Sequence, residues 1–368
     1  MAANKPEKIK KKRKRIILPL ILLAAFVFVL SGCGGQTGKS TEKDTVSENS
    51  AGVAADVTDA YGQSEAETET AKDETYPVYR EEDMAQTGDD IPLDDPYFDG
   101  GTLMLLDSAD GGQNLSCVLQ TAEGSVIVVD GGRDADSEHL IEVIKRMGGT
   151  VNAWLITHPH NDHVGALTEI LGMDPLPLNI EKIYYCFLER DYYEQGENQG
   201  RMADYDNLMA AFENLPEGVL CSPLSQWQEI VVNGALITVM NEPFACEQNT
   251  FNNSSVGYRI DMGGKRILFL GDMGWQAGDN LLEVCPREEL RADVVQMAHH
   301  GQSGVEKNVY EAILPEVCLW PTPQWLWDNE LDGVAGAGPY WTQEVRTWMK
   351  DLGVKRNLCI KDGDQILR

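Results

Sequence analysis

Thr157-His158-Pro159-His160-Asn161-Asp162-His163 carries three of the six histidines in a chain of 368 residues. Imidazoles and a carboxylate are the donor types that zinc and other borderline divalent ions prefer. The segment follows an apolar run, Ala153–Thr157, that reads as a strand. It opens a run, Asp162–Gly172, with Val164, Leu167 and Leu171 at helical spacing. A turn between the two can splay His158 and His160 toward one ion and Asp162 and His163 toward a second. A single histidine is usually a hydrogen-bonded surface or core residue. Three of them with an acid at this spacing read as a metal site.

Outward from this motif the chain alternates strand-like and helix-like segments. Thr102–Asp107, Cys117–Gln120, Ser125–Asp130, Lys182–Phe187, Glu229–Val232, Leu236–Asn241, Ser255–Asp261, Lys265–Leu270, Asp293–Met297, Val317–Trp320 and Asn357–Lys361 read as strands. Ser137–Met147, Asp204–Phe212, Val305–Ile313 and Thr342–Leu352 read as helices. Met262-Gly263-Gly264 looks like a hairpin turn. Antiparallel-looking strand groups with interspersed helices imply an α/β fold of two packed sheets with helices outside. No Gly-rich phosphate loop follows a strand and opens a helix.

Three further stretches follow in order: Val128-Val129-Asp130-Gly131-Gly132, Leu268-Phe269-Leu270-Gly271-Asp272 and Ala298-His299-His300-Gly301. Together with the first motif they resemble the metallo-β-lactamase superfamily over about residues 102–361. The resemblance implies a four-layer αββα sandwich. It implies that Asp272 bridges two metals held by His158, His160, Asp162 and His163, and that Asp130 supports the ligands from behind. Asn252-Asn253-Ser254-Ser255-Val256, followed by Gly271-Asp272 and His299-His300-Gly301, is similar to the hydrolase domain of DNA-uptake channel (competence) proteins. Cell-wall phosphorylcholine esterases are more broadly similar. That branch has Ser directly after His-His-Gly, whereas here Gln302 precedes Ser303. The superfamily also places another His between the first motif and the bridging Asp, and here nothing lies between His163 and His299. One site is therefore short of a ligand, which Asn252, Asn253, water or substrate would replace. One of His299 and His300 binds metal; the other contacts substrate or stabilises a leaving group. His139, in a predicted helix, has no assigned role.

Two divalent ions, zinc or manganese, would supply hydroxide at neutral pH and clamp the oxygens of an in-line displacement. That favours phosphodiester hydrolysis, with Asp162 and His300 as the catalytic side chains. A lactonase or thioesterase shares such a site, and a non-catalytic metal-binding lipoprotein is the alternative of another class.

The N-terminus reads as an address. Lys8–Arg15 is basic, Ile16–Leu30 is apolar, and Leu30-Ser31-Gly32-Cys33 resembles the lipobox of bacterial lipoproteins. The resemblance implies a signal peptide over residues 1–32 and a diacylglyceryl group on Cys33, anchoring the protein at the extracellular face of the cell membrane. Residues 33–99 are acidic and poor in apolar side chains, and read as a disordered tether. Residues 100–368 form the hydrolase domain, with 18 Lys+Arg against 40 Asp+Glu, a balance of −22. Such a domain cannot be a general nucleic-acid binder, and even a nuclease role is disfavoured by charge. A small or envelope phosphoester fits better. Trp320, Trp325, Trp327 and Trp341 read as core or lid, with a quaternary-ammonium cage as the alternative. Tyr192, Tyr193 and Tyr205 flank an acidic loop, Glu189–Asp206, that reads as surface or site rim. Cys117, Cys186, Cys318 and Cys359 read as buried thiols.

Overall fold

The computed structural model describes residues 96–195 and 201–368. The signal-like N-terminus, Cys33 and nearly all of the expected tether lie outside the described residues. Tyr97 and Phe98, which the sequence reading puts in the tether, are buried. Two adjacent aromatics gain more from core contact than a polar linker does.

The first sheet starts with an antiparallel set: β1 (Thr102–Leu105), β2 (Ser116–Gln120) and β3 (Val126–Asp130). Helix α1 (Ser137–Arg146) follows, then the short β4 (Thr150–Val151) and β5 (Ala153–Leu155), parallel to β3. Helix α2 (Asn161–Leu171) leads to β6 (Asn179–Ile180), which pairs with β4 in a separate ribbon. β7 (Ile183–Tyr184), helices α3 (Arg190–Gln195) and α4 (Met202–Phe212), and β8 (Leu220–Cys221) complete this half.

The second sheet mirrors that plan. β9 (Glu229–Val232), β10 (Ala235–Val239), β11 (Tyr258–Met262) and β12 (Lys265–Phe269) are antiparallel. The short helix α5 (Thr250–Asn253) stands between β10 and β11. Gly263 and Gly264 turn the β11–β12 hairpin with φ of 54° and 74°, values a two-residue hairpin loop requires. Helices α6 (Trp275–Val284) and α7 (Arg287–Leu290) precede β13 (Val294–Gln296), parallel to β12. Helix α8 (Lys307–Ile313), β14 (Val317–Trp320), helices α9 (Gln324–Trp327) and α10 (Thr342–Asp351), and β15 (Arg356–Cys359) extend the parallel part. β16 (Gln365–Leu367) then crosses back and pairs with β1. The sheet orders are β16-β1-β2-β3-β5-β7-β8 and β15-β14-β13-β12-β11-β10-β9.

Alternation along the strands builds four layers. Ile127 and Val129 of β3 face the inter-sheet core with Ile237, Tyr258, Ile260 and Phe269. Val126 and Val128 face the other way and pack with Leu140 and Ile144 of α1 and Leu167 of α2. On the far side, Leu268 and Val295 pack with Leu281 of α6, Val309 of α8 and Met349 of α10. This is the expected αββα sandwich.

Candidate metal centre

The site assembles beyond the C-terminal ends of β3 and β5 in one sheet and β12 and β13 in the other. Tyr258 Oη donates to the Ile156 carbonyl (2.9 Å) and Val256 N–H to the Thr157 carbonyl (2.9 Å), tying the two halves together. Gly271 adopts φ +57°, and a Cβ there would stand 2.8 Å from Thr157 Cβ. Only glycine lets the turn that presents Asp272 come this close.

Two groups of donors converge. His158, His160 and Asp272 form one; Asp162, His163, Asp272 and His300 form the other, so Asp272 belongs to both. His158 Nε2 lies 3.1 Å from His160 Nδ1 and 3.9 Å from Asp272 Oδ2. Asp272 Oδ2 is 3.2 Å from His163 Nε2 and 3.3 Å from His300 Nε2, and His300 Nε2 is 3.1 Å from Asp162 Oδ2. Bonds of about 2.0–2.1 Å in a tetrahedron put neighbouring ligands about 3.3–3.4 Å apart, so the spacing suits first-row divalent ions. Asp272 Oδ1, His163 Nε2 and His300 Nε2 are buried with no hydrogen-bond partner among the described residues. Buried polar atoms are rarely left so, and these residues fit bound cations.

The electrostatics agree. Burial pushes the imidazole of His158 well below its ordinary range and that of His160 down to about 4. Burial also opposes charge on His163, but Asp272 and Asp130 outweigh it and hold that ring well above the usual value. On His300 burial is likewise outweighed, by Asp272 and Asp162, and the pKa rises to about 9. Burial alone would raise Asp162 and Asp272, yet the neighbouring His163 and His300 keep both carboxyls well below the ordinary range. The carboxylates thus demand positive charge between them.

Supporting contacts fix the donors. Asp130, at φ +58°, accepts from His163 Nδ1, Thr157 N–H and Thr157 Oγ1, each at 2.8 Å. His300 Nδ1 donates to the Pro321 carbonyl at 3.0 Å, which directs Nε2 at the acids. Sequence reasoning missed Gln296. Its Oε1 accepts from Leu270 and Gly271 N–H at 2.8 Å, and its Nε2 donates to the Gly271 carbonyl at 3.0 Å. A polar side chain inside the buried run Val294-Val295-Gln296-Met297 was the available signal. Ser255 Oγ accepts from Asp272 N–H at 3.0 Å.

Three expected site residues stand elsewhere. His299 lies outside both donor groups: its Nδ1 donates to the Ser303 carbonyl (3.2 Å) and its Nε2 faces Asn252 Nδ2 (3.2 Å). The inserted Gln302 thus leaves Ser303 supporting a histidine through its backbone. His299 and His300 both have left-handed backbones, φ 51° and 55°, and this turn sends the two rings apart. Asn252 reaches His299 through Nδ2, and its Oδ1 has no hydrogen-bond partner among the described residues. Asn253 serves a helix: its Oδ1 accepts from Ala277 N–H of α6 at 3.2 Å, and its Nδ2 donates to the Gln248 carbonyl at 2.8 Å.

The expected surface loop also differs. Tyr193 of α3 is fully buried, donates or accepts with Ser254 Oγ at 3.0 Å, and packs on Phe251, which stacks on His160 with centroids 5.0 Å apart. The aromatic body of Tyr193 favours the core over an acidic rim. Trp320 and Trp327 are core, and the Arg346 guanidinium sits 3.9 Å over the Trp327 ring, so that face is already taken. The four expected cysteines are buried thiols, as is Cys285. His139 pairs with Asp364 at 3.0 Å, away from the centre.

Residues 109–314 match the profile of the metallo-beta-lactamase superfamily, and the chain belongs to that superfamily. With its His/Asp cluster it is a metal-dependent hydrolase of that fold. Similar solved structures include the metallo-beta-lactamase fold protein YhfI from Bacillus subtilis, at 12% identity over 73% of this chain and 99% of that one, TM-score 0.47. The zinc-bound PqqB from Methylobacterium extorquens is similar at 12% identity, again over 73% and 99%, TM-score 0.45. A diphosphatase from the PhnP family is similar at 13% identity over 72% and 97%, TM-score 0.38. None of the curated proteins matches the chain.

Proposed function

We propose that the protein is a lipid-anchored extracellular phosphodiesterase that works with two divalent ions, zinc or manganese. The sharing of Asp272 between two donor groups carries this reading. His158, His160 and Asp272 would hold one ion, and Asp162, His163, Asp272 and His300 the other. Bound as a pair, such ions supply Lewis acidity at both oxygens of an in-line displacement and bring the pKa of water near neutrality. Asp162 is the most open of these side chains, 19% exposed against 2% or less for Asp272 and His300, so incoming water meets it first. It accepts a hydrogen bond from the attacking water. His300, fixed through Nδ1 by the Pro321 carbonyl, would turn Nε2 to the ion it shares with Asp162.

The balance of −22 over residues 100–368 repels a long polyanion at low salt. A small or envelope phosphoester is the preferred substrate, with nucleic acid second. The likeness of Asn252–Val256 and His299–Gly301 to the hydrolase domain of DNA-uptake proteins supports phosphodiester chemistry. Cys33 and the acidic segment after it support tethering outside the membrane.

Hydrolysis of bis(p-nitrophenyl) phosphate with added zinc or manganese tests the activity. The protein should turn it over, and His158→Ala/His160→Ala should not. Metal uptake without turnover would favour a lactone, a thioester or a binding role. In the same preparations Cys33→Ser should leave the membrane fraction; retention there would remove the lipid anchor from the proposal.

A further inference from the structure

The geometry points to Thr157 as a positioning residue through which one carboxylate, Asp130, governs the three-donor half of the centre as well as the four-donor half. The inference rests on the two-ion reading above. Thr157 is fully buried. Its N–H donates to Asp130 Oδ1 and its Oγ1 lies 2.8 Å from Asp130 Oδ2, so the residue is held at two points. The same Oγ1 is 3.1 Å from His158 Nδ1. A carboxylate only accepts, so the hydroxyl proton goes to Asp130 and the oxygen's lone pairs face His158. His158 Nδ1 must then carry its own proton. That tautomer leaves Nε2 as the lone pair turned toward Asp272 and His160.

His163 needs no intermediary. Its Nδ1 reaches Asp130 Oδ2 directly at 2.8 Å, and its 3.5 Å to Thr157 Oγ1 is too long to compete. Asp130 Oδ2 therefore receives two donors, one from each half of the centre. A direct bond sets the ring of the four-donor half. A single hydroxyl sets a ring of the half that has only His158, His160 and Asp272. That half has fewer donors to share the loss of one well-oriented ligand. The hydroxyl is thus a selective handle on one of two ions.

The test uses the full chain, stripped of metal and titrated with zinc against a chelator, with cobalt absorption as a second readout. Loss of such a supporting contact typically weakens metal binding 10–100-fold. Thr157→Val should weaken one of the two binding steps by that amount and leave the other within about threefold. Thr157→Ser should restore both, and Asp130→Asn should weaken both. Equal weakening of the two steps by Thr157→Val, or of neither, overturns the relay. Should that variant fail to fold, nitrogen shifts of the imidazole rings in the unsubstituted metal-free chain decide. His158 protonated at Nδ1 upholds the relay, and His158 protonated at Nε2 overturns it. No substrate enters these readouts, so absence of phosphodiesterase activity does not count against the relay. A chain that binds a single zinc sinks the two-ion reading, and the ring-nitrogen result then stands alone on Thr157.

Discussion

Two histidines adjacent in the chain end with different partners. His300 faces Asp162 and Asp272, while His299 is held between Ser303 and Asn252. Each left-handed non-glycine residue costs about 1–2 kcal/mol, and the surrounding contacts must offset it. Gly301 continues the turn at φ +75°, where a Cβ would stand 2.5 Å from Trp320 Cε3, so the strand-end tryptophan and the glycine fix the turn together. His300→Ala should lower bound zinc from about two ions per chain to about one, a 10–100-fold or greater loss at one site. His299→Ala should keep both. Metal counting by mass spectrometry on dialysed protein checks this, and the reverse pattern would make His299 the ligand. Sequence could not separate the two, because their chemistry is identical and only the backbone turn distinguishes them. The donors of the first motif were legible because chemistry and spacing agree there. Asp130 was legible only through its company, and Gln296 was hidden in an apolar strand.

Among the elements, the long alternating strands were readable. Ser125–Asp130 was expected and Val126–Asp130 is found, because Ile127 and Val129 must face one core and Val126 and Val128 the other. Short elements were not. Helix α6 escaped notice since its buried face carries only Ala277, Gly278 and Leu281, a weak apolar signal, and α3 escaped because six residues carry too little periodicity. Helix α5 is four residues long, so its side chains point in four directions. That geometry sends Asn252 to His299 and Asn253 to the start of α6, although the sequence offers them as a pair. Asn253 satisfies the Ala277 N–H, one of the donors a helix start leaves unpaired. Asn253→Ala should cost about 1 kcal/mol, the usual effect of losing such a cap. Chemical denaturation measures the loss, and zinc content should stay unchanged. A drop in zinc without a drop in stability would return Asn253 to the metal centre.

For the whole molecule, the order of the motifs along the chain was enough to foresee the four layers, whereas the closure of the chain on itself was not. Tyr97 Oη donates to Glu316 Oε2 at 3.0 Å, Lys355 pairs with the other oxygen, and Lys265 Nζ stands 3.7 Å away. These partners are more than 200 residues apart at the extreme, and nothing local marks them. Hydrogen bonding from Lys355 holds the Glu316 carboxyl below its ordinary range. A depressed carboxylate contributes stability that is complete above the unfolded value, near ~4.3, and is lost as pH falls through the folded value. The side chain is about a quarter exposed, so solvent screens the pair and Glu316→Gln should cost about 1 kcal/mol at neutral pH. Melting curves should show the variant a few degrees lower at pH 7 and the two proteins converging near about pH 3. A gap that persists in acid would rule out the charge as its source.

The return of β16 to β1 bears on how the protein comes to be folded. The strand Gln365–Leu367 zips onto the edge of Thr102–Leu105, so the sheet that carries Asp130 and His158 has an open flank until the far end of the domain is available. Every residue of the second sheet must be made before the first is sealed. Such distant pairing is slow to form, and an unsealed edge invites pairing with another chain. The cell that makes this protein has reason to guard it until that last strand arrives.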